Sequence, residues 1–190
     1  MKKALAVALF AAAAASAGCA SGASKEARAA RKANPAPCPN VVVLSDADRI
    51  IEFDGEPTLE NVAYSGEIVN VELNCRYYAD KPIDASLKVD LAFGKGPKGV
   101  AGNREFKYFV AVTRTNLEVI EKAVFTVPVK FDSDDSDSVR LTHEKINEII
   151  IPRAGESTSG TNFEVVVGLV LTPQQAIYNR SGKSLKFPNL

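Results

Sequence analysis

The stretch Val69-Asn70-Val71-Glu72-Leu73-Asn74-Cys75-Arg76-Tyr77 alternates strictly between apolar and polar residues. Successive side chains of a β-strand point to opposite faces, so this pattern describes a strand with one face buried and one in water. The pattern recurs in Ala85-Leu87-Val89-Leu91-Phe93, Phe106-Tyr108-Val110-Val112, Phe125-Val127-Val129-Phe131 and Phe163-Val165-Val167-Leu169-Leu171. Val41 to Leu44 and Val139-Arg140-Leu141 are shorter candidates. Turn-forming residues separate the runs: Asp80-Lys81-Pro82, Gly94 to Gly102, Thr115-Asn116, Ser133 to Ser138 and Gly155 to Gly160. About seven strands at this spacing predict an all-β fold, an antiparallel β-sandwich that is immunoglobulin-like in outline. A closed barrel is the alternative. The chain has no tryptophan, so that immunoglobulin hallmark is missing.

Two helical pieces are expected. Thr142 to Ile149 has room for about two turns. Thr172-Pro173-Gln174-Gln175 carries a helix start, with Thr at the N-cap, Pro at N1 and Gln at N3, and predicts a short helix through Tyr178.

The N-terminus is organised differently. Lys2 and Lys3 precede an apolar run from Ala4 to Ala15, and Ser16-Ala17-Gly18-Cys19 follows. The apolar run is too short to span a bilayer and has the flanks of an export signal. The four-residue box resembles the lipobox of bacterial lipoproteins, with Ser16 standing where that family usually has Leu. The resemblance implies a signal peptide over 1–18, cleavage before Cys19, and acylation of Cys19 with palmitate-type chains that reach membrane lipid. Several chains anchor stably where one is marginal. Ala20 is not the Asp that the resemblance links to inner-membrane retention, which points to the outer membrane, facing the periplasm. The alternative is a cut after Ala15-Ser16-Ala17 that releases a soluble periplasmic protein.

Cysteine parity agrees with lipidation. The chain has three cysteines. If Cys19 carries lipid, Cys38 and Cys75 remain to pair in an oxidising compartment. Cys75 lies on the inward parity of its strand and Cys38 at the mouth of the first strand, so a disulfide would tie the start of the domain to its core.

Charge divides the chain into the same parts. The whole sequence is neutral, with 23 basic and 23 acidic residues. Residues 20–37 hold Lys25, Arg28, Arg31 and Lys32 against Glu26. This stretch, ending in Pro35-Ala36-Pro37, reads as a flexible tether following the lipidated Cys19 (19–37), able to rest on anionic headgroups. Extended, it reaches at most about 60 Å. Residues 38–180 form one β-sandwich domain, and 181–190 a loose C-terminal tail. The domain is mildly acidic, which argues against nucleic acid.

Candidate chemistry is sparse, and no cofactor is expected. No Gly-x-Ser-x-Gly elbow, His-x-x-x-His pair or phosphate loop occurs. The only histidine, His143, sits in a polar stretch and is expected to be an exposed helix or loop residue. Gly94-Lys95-Gly96-Pro97-Lys98-Gly99 falls between strands and reads as a hairpin loop. Asp132, Asp134, Asp135 and Asp137 are closely spaced carboxylates of the kind that attract Ca²⁺. Against an EF-hand loop, the sixth residue is Asp137 where Gly is needed and the twelfth His143 where Glu is needed, so a solvated turn is the simpler reading. Phe109, Val124, Val166 and Val170 are apolar on the parity assigned to solvent and form a candidate partner patch.

Tyr108-Phe-Val-Ala-Val-Thr113 and Leu171-Thr-Pro-Gln-Gln-Ala-Ile-Tyr-Asn-Arg180, with Cys38-Pro39 and Asn74-Cys75-Arg76-Tyr77, resemble a group of uncharacterised alphaproteobacterial envelope lipoproteins. That resemblance covers most of 38–180 and implies no activity. The expectation is a membrane-anchored, non-enzymatic binding or structural module in the cell envelope, in contact with an envelope protein complex. The alternative is a ligand-binding module for metal, glycan or peptidoglycan.

Overall fold

The computed structural model describes residues 37–133 and 139–184. The signal peptide, Cys19, the tether up to residue 36, Asp134, Asp135, Asp137 and residues 185–190 lie outside the described residues. Among the described residues eight strands make two four-stranded sheets. Sheet A has the order β1-β8-β5-β6, with β1 Asn40–Val43, β5 Gly102–Arg114, β6 Val119–Phe131 and β8 Phe163–Leu169. Sheet B has the order β2-β3-β4-β7, with β2 Arg49–Phe53, β3 Val62–Arg76, β4 Ile83–Lys95 and β7 Val139–Ile151. All pairs are antiparallel except β1 with β8. The result is an all-β sandwich, immunoglobulin-like in outline, in which the last strand lies between β1 and β5. It is not a closed barrel, because β6 and β7 each end a sheet.

The alternating residues fill the space between the sheets. Leu87, Val89, Leu91 and Phe93 of β4 are fully buried, as are Phe163 and Val165 of β8. Phe93 stacks on Phe106 across the two sheets with centroids 4.4 Å apart. Offset stacking of this kind adds to the stabilisation from buried area. Gly66 lies under this stack, and a Cβ there would come within 2.8 Å of the Phe93 ring.

Two local expectations are corrected. The register of β3 with β4 shifts between Ile68 and Asn70, so Val69 is the extra residue of a bulge and is 47% exposed. The core parity runs through Ile68, Val71, Leu73 and Cys75 instead. Thr142 to Ile149 is strand, within β7, and not two turns of helix. A two-turn helix is unstable alone. The strand satisfies the same backbone groups against β4 and places Ile146, Ile149 and Ile151 opposite Leu87, Ala85 and Ile83.

The helix after β8 forms where its cap predicts. This α1, Pro173–Arg180, has Thr172 and Gln175 in a reciprocal capping box and Pro173 in its first turn. Asn179 donates to the carbonyls of Asp46 and Arg49 at 2.9 Å, and Arg180 pairs with Asp46 at 2.7 Å. Tyr178 meets Phe53 edge-on at 5.3 Å. The helix is thereby fixed to β2 and the turn before it.

One end of the sandwich is clasped. Cys38, just before β1 of sheet A, is disulfide-bonded to Cys75 of β3 in sheet B, with Cα atoms 5.6 Å apart. The Tyr77 hydroxyl donates to the Pro37 carbonyl and accepts from the Gly160 amide, both at 2.8 Å. Arg153 lies 4.5 Å over the Tyr77 ring and donates to the carbonyls of Ala79, Lys81, Glu156 and Thr158. At Gly160 any Cβ would fall 2.2 Å from the Pro37 carbonyl oxygen, so only glycine fits.

Reducing the Cys38–Cys75 bond, or substituting both cysteines by serine, should destabilise the domain by roughly 3–4 kcal/mol, given the sequence separation of 37. Urea unfolding with and without reductant measures this. Tyr108 is buried, and its hydroxyl has no hydrogen-bond partner among the described residues. Burial first, and the nearby Glu144 carboxylate second, push its pKa up to about 12. The folded value therefore exceeds the unfolded value of about 10, so stability is intact below pH ~10 and falls as pH rises toward the folded value. Tyr108→Phe should raise stability at neutral pH by about 1 kcal/mol, by removing the unsatisfied hydroxyl. It should also weaken this alkaline loss, read as urea midpoints on either side of that range.

Candidate interaction surfaces

The four apolar residues assigned to solvent converge on the outer face of sheet A. Register places Phe109 between Gly168 and Val124, and Val166 between Val42 and Ala111. Phe109 lies across Gly168, where a Cβ would come within 2.7 Å of its ring. The Lys122 ammonium sits 4.3 Å from the Phe109 ring centroid. Val170 continues the row, with its amide on the Lys107 carbonyl at 2.8 Å. Val124 is 54% exposed and Val170 39%, while Phe109 and Val166 are half-buried. Val42 and Leu44 extend the surface at 40% and 44% exposure. Sequence reasoning missed these two, because the unbroken run Val41 to Leu44 has no alternation to assign its faces. Lys107 and Lys122 share this parity, as do Glu105 and Glu164, so the apolar surface carries charges of both signs within it and at its margin.

The outer face of sheet B is more polar, although Leu141 and Ile150 of β7 are exposed there at 57% and 47%. His143 lies on β7 and is exposed there, which corrects its assignment to a helix or loop. Its Nδ1 is 2.7 Å from Asp90 Oδ1, and Asn70 donates to Asp90 Oδ2 at 3.1 Å. These two bonds, His143 first, hold the Asp90 carboxyl below the usual carboxylate range. Lys88 pairs with Glu72 at 3.0 Å and Arg76 with Asp84 at 2.8 Å. The polar residues form cross-strand pairs in water.

The acidic turn is partly described. The Asp132 carboxylate pairs with Arg140 at 3.1 Å and with Lys130 at 3.5 Å. Lys95, almost buried, donates to the Asp132 and Ser133 carbonyls at 3.0 and 3.1 Å. Asp132 is thus already neutralised by cations, while Asp134, Asp135 and Asp137 lie outside the described residues. Among the described residues no group of three or more His, Cys, Asp or Glu side chains is arranged to hold a metal ion. The glycine-rich loop is not a hairpin, because it crosses from β4 of sheet B to β5 of sheet A, two strands that do not pair, and it lies close against β3. A Cβ at Gly96 or Gly99 would sit 2.3 Å from the carbonyl oxygen of Val62 or Ala63.

A cleft of about 520 Å³ opens between β2 and α1. Ile51, Phe53, Pro57 and Tyr178 line it, with Glu52 and Gln174 as polar neighbours. Glu52 is engaged by Arg104 at 2.6 Å. Sequence reasoning did not mark this site, because Arg49–Phe53 is too short to alternate clearly and was not identified as a strand.

No helix of the described residues is long and apolar enough to cross a membrane. No known family, no curated protein and no solved structure matches the chain.

Asp90→Asn should cost at most about 1 kcal/mol at neutral pH, the range of exposed ion pairs. Because the folded pKa of Asp90 is lowered, its contribution is present above the unfolded value of about 4 and is lost as pH falls through the folded value. The stability gap between wild type and Asp90→Asn should therefore close in acid, as followed by urea midpoints at neutral and acidic pH.

Proposed function

We propose that this chain is a membrane-anchored lipoprotein of the bacterial cell envelope, tethered through Cys19 and acting without catalysis as a binding module for another envelope protein. The observation that carries this reading is the apolar outer face of sheet A. Val42, Leu44, Val124 and Val170 are all well exposed there, beside Lys107 and Lys122. Exposed apolar surface at a polar margin is the usual anatomy of a protein-docking site. The matching partner surface is apolar at its centre with charges of both signs at its edge, placed to meet Lys107 and Lys122 and the carboxylates of Glu105 and Glu164, which would otherwise be desolvated without compensation. The export signal and the Ser16-Ala17-Gly18-Cys19 box support the address, the outer membrane facing the periplasm.

The cleft between β2 and α1 supports a second reading, a module for a small ligand. Its apolar walls and few polar groups match the general chemistry of ligand sites.

The test uses two variants of a tagged full-length chain. Cys19→Ser should abolish palmitate labelling and release the protein from membranes. Val124→Asp with Val170→Asp should leave the melting temperature within a few degrees, because both residues are exposed, and should reduce a co-purifying partner by at least about tenfold. A partner recovered equally with both aspartates removes sheet A from the reading, and labelling that persists in Cys19→Ser removes the anchor.

A further inference from the structure

The side of the sandwich away from β1 and β2 is unfinished. Among the described residues β6 ends sheet A and β7 ends sheet B, and each pairs with one neighbour. Positions that face the core are left uncovered along this side. Ala123 is opposite Val110 in the register, on the core parity, yet it is exposed. Phe125, next on that parity, is half-buried. Across the gap, Ile146 and Ile149 of β7 are half-buried, while Leu87 and Ala85 beside them are 0% and 1% exposed. Ala123, Phe125, Ile146 and Ile149 line a groove of about 270 Å³ between the two edge strands.

One more strand completes such a sandwich. Among the described residues the outer edge of β7 pairs with no strand, and on either side of the bulge at Asn147 and Glu148, which face Ser86 together, its outward N–H and C=O groups template an added strand. β7 contains no proline between Val139 and Ile151, whereas β6 is interrupted as an edge by Pro128, which has no N–H to offer. A strand beside β7 would extend sheet B under Ala123 and Phe125, about 4.8 Å further out. Its alternate side chains would enter the groove.

Charge narrows the occupant. Glu121 and Glu148 line the groove, and Glu144 lies on the core parity of β7 opposite Val89. None of the three forms an ion pair among the described residues, although other exposed carboxylates of the domain do. Three uncompensated carboxylates around an apolar slot favour a segment that brings positive charge.

We infer that the seam between β6 and β7 takes up one extended segment of another polypeptide, added as a strand to the free edge of β7. That segment has small or branched apolar side chains at alternate positions and lysine or arginine at its ends. The site is separate from the outer face of sheet A, and the inference stands independently of the docking role assigned there.

The test uses the full chain and a synthetic heptapeptide that alternates valine and alanine between terminal lysines. The expected result is saturable binding by fluorescence anisotropy, with slowed amide exchange on β7 between Glu144 and Ile150. Glu121→Lys with Glu148→Lys, both at exposed positions, should weaken binding at least about fivefold. A backbone N-methylated form of the peptide should not bind, because strand addition requires its amides. The inference is overturned if the unmodified peptide does not bind, if the N-methylated form binds equally well, or if protection falls outside β7. It is overturned equally if β7 becomes protected by concentration-dependent dimerisation of the chain without peptide.

Discussion

The sandwich depends on how its two sheets are joined where the chain enters them. Sheet A begins with β1, four residues long and paired in parallel with β8 alone. So short a strand contributes few hydrogen bonds, and a parallel pair is slightly weaker per residue than an antiparallel one. The Cys38–Cys75 bond holds its start against β3 of sheet B. Tyr77 then joins Pro37 to Gly160, and Arg153 gathers the carbonyls of the neighbouring loops around the same ring. These groups satisfy backbone atoms that no strand reaches, at the place where segments distant in sequence meet.

The two outer faces follow from the sequence on each sheet and differ in kind. Sheet B presents cross-strand pairs of opposite charge, Lys88 with Glu72 and Arg76 with Asp84, together with the His143–Asp90 contact. Such pairs keep a sheet face in water while adding little stability individually. Sheet A presents valines, Leu44 and Phe109 among Lys107, Lys122, Glu105 and Glu164, and no ion pair joins these four charges among the described residues. The clasp and the α1 contacts are made by the first strands of the two sheets and their neighbours, whereas the β6–β7 side leaves core-facing residues uncovered.

Much of this was legible in the residues. Alternation located β4, β5, β6 and β8, because a pleated strand must send successive side chains to opposite faces wherever it lies. The Thr172-Pro173-x-Gln175 cap located α1, because it satisfies the first amides of that helix locally. The inward parity of Cys75 anticipated its bond to Cys38. Failures occurred where the local pattern was ambiguous. Val69 followed the parity of Val71 until pairing with β4 placed a bulge there. Thr142 to Ile149 is polar enough to read as a surface helix, and its pairing with β4 decided otherwise.

The sequence by itself determined the strand period, the cysteine pair and the apolar residues that would not fit the core. Each is a property of a short segment and its backbone geometry. Only the tertiary structure decided that Phe109, Val124, Val166 and Val170 share one surface with Val42 and Leu44. It alone left Ala123 and Ile149 uncovered at a common edge. Those outcomes depend on which strands become neighbours, a choice made by contacts between residues far apart in the chain, and no local period encodes it.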